Sequence, residues 1–175
     1  MKPIRTTFCA AAAALLAACQ SVPSDAPRAA AKLEPTKGSS VGGTVNFMQV
    51  GDNVRVVANV TGLQPNGEFG FHIHEVGDCS SGDGMSTKGH FNPYGKPHAH
   101  AGTPERHAGD LPSLRSDAGG NAKVDADVDI ITVANGPASI VGRGLIVHAQ
   151  PDDYKTQPTG NAGARSACAI IRREN

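Results

Sequence analysis

The histidines of this chain are the residues whose type and spacing point most directly to chemistry. All seven lie between His72 and His148 of a 175-residue sequence. Imidazole nitrogen is a ligand that suits copper and zinc, whereas carboxylate-rich sites favour calcium or magnesium. The clustering therefore predicts a transition-metal site.

His72 and His74 form the first candidate ligand pair. On a β-strand, residues two apart face the same side, so both rings would lie together while Phe71 and Ile73 face a core. Taken alone, this pair is equally compatible with two ordinary surface histidines. His148 ends an apolar run, and a single histidine in that position is more often a buried core residue.

A second set of candidate ligands lies between residues 90 and 110. It comprises three imidazoles and one carboxylate: His90, His98, His107 and Asp110. Four nitrogen and oxygen ligands without a thiolate fit a closed tetrahedral zinc site. His100 is an alternative that could bind zinc, recruit another metal or stay solvated, but the spacing from His90 and to His107 favours His98.

The first 18 residues are typical of a secretory signal. Lys2 and Arg5 precede an apolar run over residues 8–18, and this run is too short to span a membrane because a spanning helix needs roughly 20 residues. It ends at Cys19 in a Leu-Ala-Ala-Cys sequence that resembles the bacterial lipobox, in which the cysteine becomes the lipidated first residue. An ordinary secretory signal cleaved nearby is the alternative. We expect a protein on the periplasmic side of a bacterial cell envelope, held at the membrane by a lipid on Cys19.

Two cysteines remain once Cys9 leaves with the signal and Cys19 is assigned to the lipid. An even pair in an exported chain predicts a disulfide between Cys79 and Cys168. Two free buried thiols are the alternative, which an oxidising compartment disfavours. The formal net charge of zero gives no overall basic field for nucleic acid.

The rest of the sequence divides into a tether and one β domain. Residues 20–38 are rich in Ala, Pro, Ser and Lys with few apolar side chains, which predicts a flexible tether. With the expected lipidated Cys19, this segment covers residues 19–38. The domain covers 39–175, where Asn53–Val60 and Lys123–Ile130 alternate polar and apolar residues as half-buried antiparallel strands do. Further strands are expected over 41–50, 68–75 and 140–148. Residues 77–114 lack a strand pattern and predict a metal-ordered loop, so the sequence favours a β-sandwich or barrel.

Five motifs together resemble the copper–zinc superoxide dismutase family. They follow the family's order from about residue 39 almost to the C-terminus: Gly70–Glu75, Gly89–Pro93, Arg106–Asp110, Gly142-Arg143 with Val147-His148, and Gly160–Arg165 with Ala167-Cys168. The resemblance implies that family's known fold, an all-β Greek-key barrel or sandwich of about eight antiparallel strands with long metal-binding loops. It also implies the family's intrasubunit disulfide between Cys79 and Cys168.

The same resemblance implies roles for individual residues. One copper and one zinc per subunit are implied, with copper held by His72, His74, His90 and His148, and zinc held by His90, His98, His107 and Asp110. Arg165 matches the arginine beside the open copper position; a surface arginine in a salt bridge is the alternative. Asp152 matches a carboxylate that links a copper histidine to a zinc histidine; a plain turn residue is the alternative.

The implied activity is the dismutation of superoxide to dioxygen and hydrogen peroxide, which would protect the cell envelope. Arg165 would dock the anion and His90 would take up and deliver a proton. An envelope protein that buffers or delivers copper or zinc is the alternative, because it shares the ligands but needs neither Arg165 nor a bridging His90. A zinc hydrolase would need an open zinc position, which a saturated site does not leave. The sequence is also compatible with a homodimer.

Overall fold

The computed structural model describes residues 25–174 and shows ten β-strands and no α-helix in that range. The strands are β1 (Arg28–Pro35), β2 (Gly42–Val50), β3 (Asn53–Thr61), β4 (Glu68–Phe69), β5 (Phe71–His74), β6 (Leu114–Arg115), β7 (Ala122–Val128), β8 (Gly144–His148), β9 (Arg165–Ile170) and β10 (Arg172–Arg173). One 3₁₀ turn covers Met85–Thr87. The described part of the chain contains no helix long and apolar enough to cross a membrane.

Eight strands form one curled antiparallel sheet in the order β5-β8-β9-β1-β2-β3-β7, with β10 beside β1. The small β4–β6 pair and a bridge between Ser116 and Ala122 join its two edges, because β4 runs into β5 and β6 leads into β7. The connections from β3 to β4 and from β7 to β8 each pass over intervening strands, which is the Greek-key pattern. The predicted all-β fold is confirmed.

Alternating side chains fill the core from the inner face of the sheet. In β3, the face predicted to be apolar is fully buried, with Val54, Val56, Ala58 and Val60 each 1% exposed or less. The alternation in β7 ends earlier than expected, at Val128 rather than residue 130. The chain leaves the sheet there because residue 130 adopts a left-handed backbone conformation with φ of 54°.

Strand β1 corrects the predicted boundary between tether and domain. It lies wholly inside the 19–38 segment, pairs with β2 and β9, and buries Ala29, Ala31 and Leu33. Alanine offers little apolar surface, so the composition of this segment concealed a strand that its neighbours stabilise. The β domain therefore begins near residue 28. Residues 1–24, with the signal segment and Cys19, lie outside the described residues.

Candidate metal centre

Strands β5 and β8 provide the rigid part of the centre. All four residues of β5 are buried, and the alternation of the strand separates Phe71 and Ile73 from the imidazoles of His72 and His74. Strand β8 runs antiparallel beside it. The ring of His148, at the end of β8, lies with its centroid 4.9 Å from that of His72. Main-chain pairing thus places the backbone of three of these histidines.

The long loop after β5 returns to that strand twice. The amide of Phe91 donates to the Ile73 carbonyl at 2.8 Å, and the Ile73 amide donates to the Gly109 carbonyl at 2.9 Å. A side chain at Gly109 would collide with the Ile73 carbonyl, so this close approach needs glycine. These bonds place His90 and Asp110 directly beside the two histidines of β5.

Four buried imidazoles converge into a first cluster. They are His72, His74, His90 and His148, and their candidate ligand atoms lie within 4.8 Å of one another. One nitrogen of each ring has no partner within residues 25–174: His72 Nδ1, His74 Nε2, His90 Nε2 and His148 Nε2. Buried polar atoms are normally bonded, so four unpartnered nitrogens in one place fit a metal that accepts imidazole, as copper does.

The other nitrogen of each strand-held ring has an acceptor. The contacts are His72 Nε2 to Asp152 Oδ2 (2.7 Å), His74 Nδ1 to the Lys88 carbonyl (2.8 Å) and His148 Nδ1 to the Gly163 carbonyl (3.3 Å). When an imidazole donates its proton to such an acceptor, its opposite nitrogen keeps a lone pair for a metal. The tautomer of each ring is therefore the one that copper binding needs.

A second cluster of four buried residues shares one ring with the first. It contains His90, His98, His107 and Asp110. Asp110 Oδ1 lies 2.9 Å from His90 Nδ1 and 3.0 Å from His98 Nδ1, and the Nδ1 atoms of His90 and His107 are 3.4 Å apart. A tetrahedral zinc with bonds of about 2.0–2.1 Å requires ligand separations of about 3.3 Å. The donor set and its spacing fit zinc, and His90 faces both clusters through its two nitrogens.

Charge differs between the two clusters. On the copper side, burial lowers the pKa of His148 to about 3 and that of His90 to about 4. On the zinc side, burial also opposes protonation of His98, but Asp110 and Asp152 outweigh it and raise the pKa of His98 to about 9. Burial on the copper side thus disfavours the charged form of His90 and His148, whereas the zinc side is built around carboxylates.

Asp152 lies between the two clusters. Besides accepting from His72, its carboxylate accepts from His98 Nε2 at 2.9 Å. The Tyr154 amide also donates to it at 2.7 Å, as in an ordinary turn. A turn alone does not account for contacts to one ring of each cluster, so this carboxylate orients both rings at once.

Arg165 begins β9 opposite His148. Its guanidinium donates to the Gly84 carbonyl (2.6 Å), Thr87 Oγ1 (2.8 Å) and the Lys88 carbonyl (2.6 Å). These bonds use three of the five N–H groups and leave Nε–H and one Nη2 hydrogen for an anion. Within residues 25–174 it forms no ion pair with a carboxylate.

The predicted disulfide is confirmed, with the Cα atoms of Cys79 and Cys168 5.9 Å apart. It ties the loop that holds Arg165 to the strand that carries it. Sequence reasoning missed the Lys88 carbonyl, which accepts from both Arg165 and His74. A main-chain acceptor leaves no trace in side-chain chemistry, so no sequence signal could have revealed it.

The structure also separates the two candidate zinc histidines. His98 lies in the cluster, whereas His100 is exposed outside it. The Gly102 amide donates to His100 Nδ1 at 3.0 Å, and the ring packs edge-on against Tyr154 with centroids 4.8 Å apart.

Fold and site together define a class: β-barrel proteins with two adjacent ligand clusters, suited to copper and to zinc, that share one imidazole. Residues 41–171 match the family model described as copper/zinc superoxide dismutase. The chain is 40% identical to superoxide dismutase (Cu-Zn) 2 of Aquifex aeolicus over 149 residues, which is 83% of this chain and 86% of the relative. It is 38% identical to superoxide dismutase (Cu-Zn) 1 of the same organism over 140 residues, covering 78% and 82% of the two chains. A crystal structure of the clock protein EA4 is similar, with a TM-score of 0.76 and 41% identity over 83% of this chain and 93% of that one.

This chain belongs to the copper/zinc superoxide dismutase family, and its two metal sites are intact. The predictions of a copper site, a zinc site and superoxide dismutase activity are confirmed.

Proposed function

We propose that this chain dismutates superoxide in a bacterial cell envelope and protects that compartment, with Arg165 and His90 as its catalytic side chains. The observation that carries the activity is the pair of clusters sharing His90, with four unpartnered imidazole nitrogens on one side. Copper, when bound there, supplies one-electron redox chemistry, and zinc supplies none.

The chain's own residues bind the anion and handle the proton. Arg165 offers Nε–H and Nη2–H as a cationic fork to superoxide and to the peroxide charge that develops. His90 Nε2 faces the copper cluster and holds a proton between the two half-reactions. Overall, two superoxide anions and two protons give one dioxygen and one hydrogen peroxide, so atoms and charge balance.

Metal content and dismutation measured on the same preparation test this proposal. The unsubstituted chain should contain copper and zinc and should dismutate superoxide, whereas His148→Ala should lose copper and activity while keeping zinc. A chain that binds both metals without dismutating superoxide would favour the alternative, an envelope protein that buffers or delivers metal.

We further propose that the chain is anchored to the membrane through a lipid on Cys19, facing the periplasm. The apolar run before Cys19 supports this, and the disulfide fits an oxidising compartment. Expressed in a bacterial host, the unsubstituted chain should sediment with membranes and Cys19→Ser should be released in soluble form. Recovery of both in the soluble fraction would contradict the anchor. Light scattering on the soluble variant would test a homodimer.

A further inference from the structure

The segment from Asp152 to Gln157 forms hydrogen bonds with the zinc ligand His98 at two places, its ring and its main chain. Asp152 accepts from the ring at Nε2. Gln157 bonds the main chain of the same residue: its Oε1 accepts from the His98 amide at 2.8 Å, and its Nε2 donates to the His98 carbonyl at 2.8 Å. One primary amide therefore satisfies both main-chain polar groups of one metal ligand.

Within the described residues, the amide and carbonyl of His98 bond only to Gln157. The nearest further support is the next amide, that of Ala99, which donates to Asp110 Oδ2 at 3.1 Å. His98 lies in the long loop outside any strand, and no backbone group within residues 25–174 bonds to its amide or its carbonyl. An amide and a carbonyl of the same residue flank its two backbone torsions, so a fork that holds both restricts both. Gln157 thus replaces the neighbouring strand that His98 lacks.

Restricting that backbone matters because the chain offers a second imidazole two residues away. His98 and His100 share the same chemistry, and the zinc cluster uses only one of them. A ring must be held within a fraction of an ångström for a tetrahedral site. The Gln157 fork supplies that restraint at His98, and no comparable side chain holds the main chain of His100 within the described residues.

We propose that Gln157 is a positioning residue for zinc, which presents His98 to the metal by holding its main chain. This inference rests on the zinc site of the family activity described above. Gln157 itself is exposed, so replacing it should leave the barrel folded. Its effect should be specific to zinc, because within the described residues its side chain bonds only to the main chain of His98 and to the Lys155 carbonyl.

Zinc affinity of the metal-free protein, measured by competition with a chromogenic chelator, tests this inference. Gln157→Ala should weaken zinc binding about tenfold, within the range known for residues that orient metal ligands. Gln157→Met keeps the length of the side chain without either hydrogen bond and should behave like alanine. Gln64→Ala is the matched control, because that glutamine is also exposed and its side chain makes no hydrogen bond within residues 25–174.

Two spectroscopic measurements separate positioning from general loosening. Co²⁺ bound in place of zinc should show altered visible d–d bands in Gln157→Ala, while the electron paramagnetic resonance spectrum of Cu²⁺ at saturating zinc should match that of the unsubstituted chain. Equal zinc affinities in Gln157→Ala and Gln64→Ala would overturn the inference, and so would equal losses of zinc and copper. If the unsubstituted chain itself failed to bind zinc, the zinc site of the proposed function would fail instead.

Discussion

The copper side and the zinc side of this centre are built in different ways. Three copper ligands come from paired strands, whose ladder would hold them in place without any metal. The zinc ligands come from a loop without regular structure, and carboxylates bring their rings together. The shared ring of His90 belongs to both.

This difference teaches that strand pairing in the barrel positions the copper ligands, whereas the zinc ligands are positioned by the contacts they make with one another. Strand pairing preorganises imidazoles at the cost of burying them, and this burial lowers the pKa of His74 and of His148. A loop cannot preorganise ligands in this way, so charge and side-chain bonds have to do it. Perturbations of the loop should therefore affect zinc far more than copper.

The largest expected effects come from removing one ligand on each side. Asp110→Ala removes a carboxylate that contacts all three zinc-side rings and accepts from the amides of Ala99 and His107, so zinc affinity should fall by about 100-fold or more. Copper affinity should fall less than about tenfold, because the strands still hold three rings. His74→Ala should instead lower copper affinity far more than zinc affinity, and it should abolish dismutation. Metal content after dialysis checks both, and equal loss of both metals in Asp110→Ala would break the comparison.

A smaller effect is expected where the loop before β9 approaches the zinc side. Gly160 has φ of +66°, and a Cβ there would lie 2.5 Å from His98 Nε2 and overlap the Asp152 carboxylate. Gly160→Ala should therefore displace that carboxylate and weaken zinc binding about tenfold or more. Gly51→Ala is the control, since Gly51 also has positive φ (+58°) but open space around it. Similar zinc affinities in the two variants would count against the close approach.

The metal-free protein should be most stable near pH 6.5, because the two sides titrate in opposite directions. Below pH 6.5 the unfolded chain protonates His148 and His90, whereas the folded chain does not do so until about pH 3 to 4. The free energy of unfolding therefore decreases as the pH is lowered. Above 6.5 the folded chain keeps a proton on His98 until about pH 9 that the unfolded chain has lost, so stability falls as pH rises. Urea unfolding of chelator-treated protein should show a loss on the order of 4 kcal/mol at about pH 4.5, where two histidines contribute, and on the order of 2 kcal/mol at about pH 8.5, where one does. A steady rise in stability up to pH 9 would contradict the raised pKa of His98.

The smallest effect should come from His100. His100→Ala should change zinc affinity less than about twofold, whereas His98→Ala should lower it by about 100-fold. Chelator competition on the two variants measures both values. A marked loss in His100→Ala would mean that the loop presents either ring and that the zinc side is even less preorganised.

Much of the fold was predictable because strand alternation is a local property. The clean pattern of β3 identified its buried face residue by residue. Strand β1 was missed because its alanines make a weak local pattern, and only pairing with β2 and β9 stabilises it. Strand β9 also lacked a clear alternation of polar and apolar residues, because Ala167, Cys168 and Ala169 are buried one after another.

The sequence by itself determined the chemistry of the centre: which residue types are present, how far apart they lie, and which two metals they suit. Only the tertiary structure decided which nitrogen of each ring is free, and that Gln157 and the Lys88 carbonyl hold their neighbours. The reason is physical. Ligand type is a property of one side chain, whereas orientation depends on hydrogen bonds between segments that are distant in the chain and meet only when the barrel is folded.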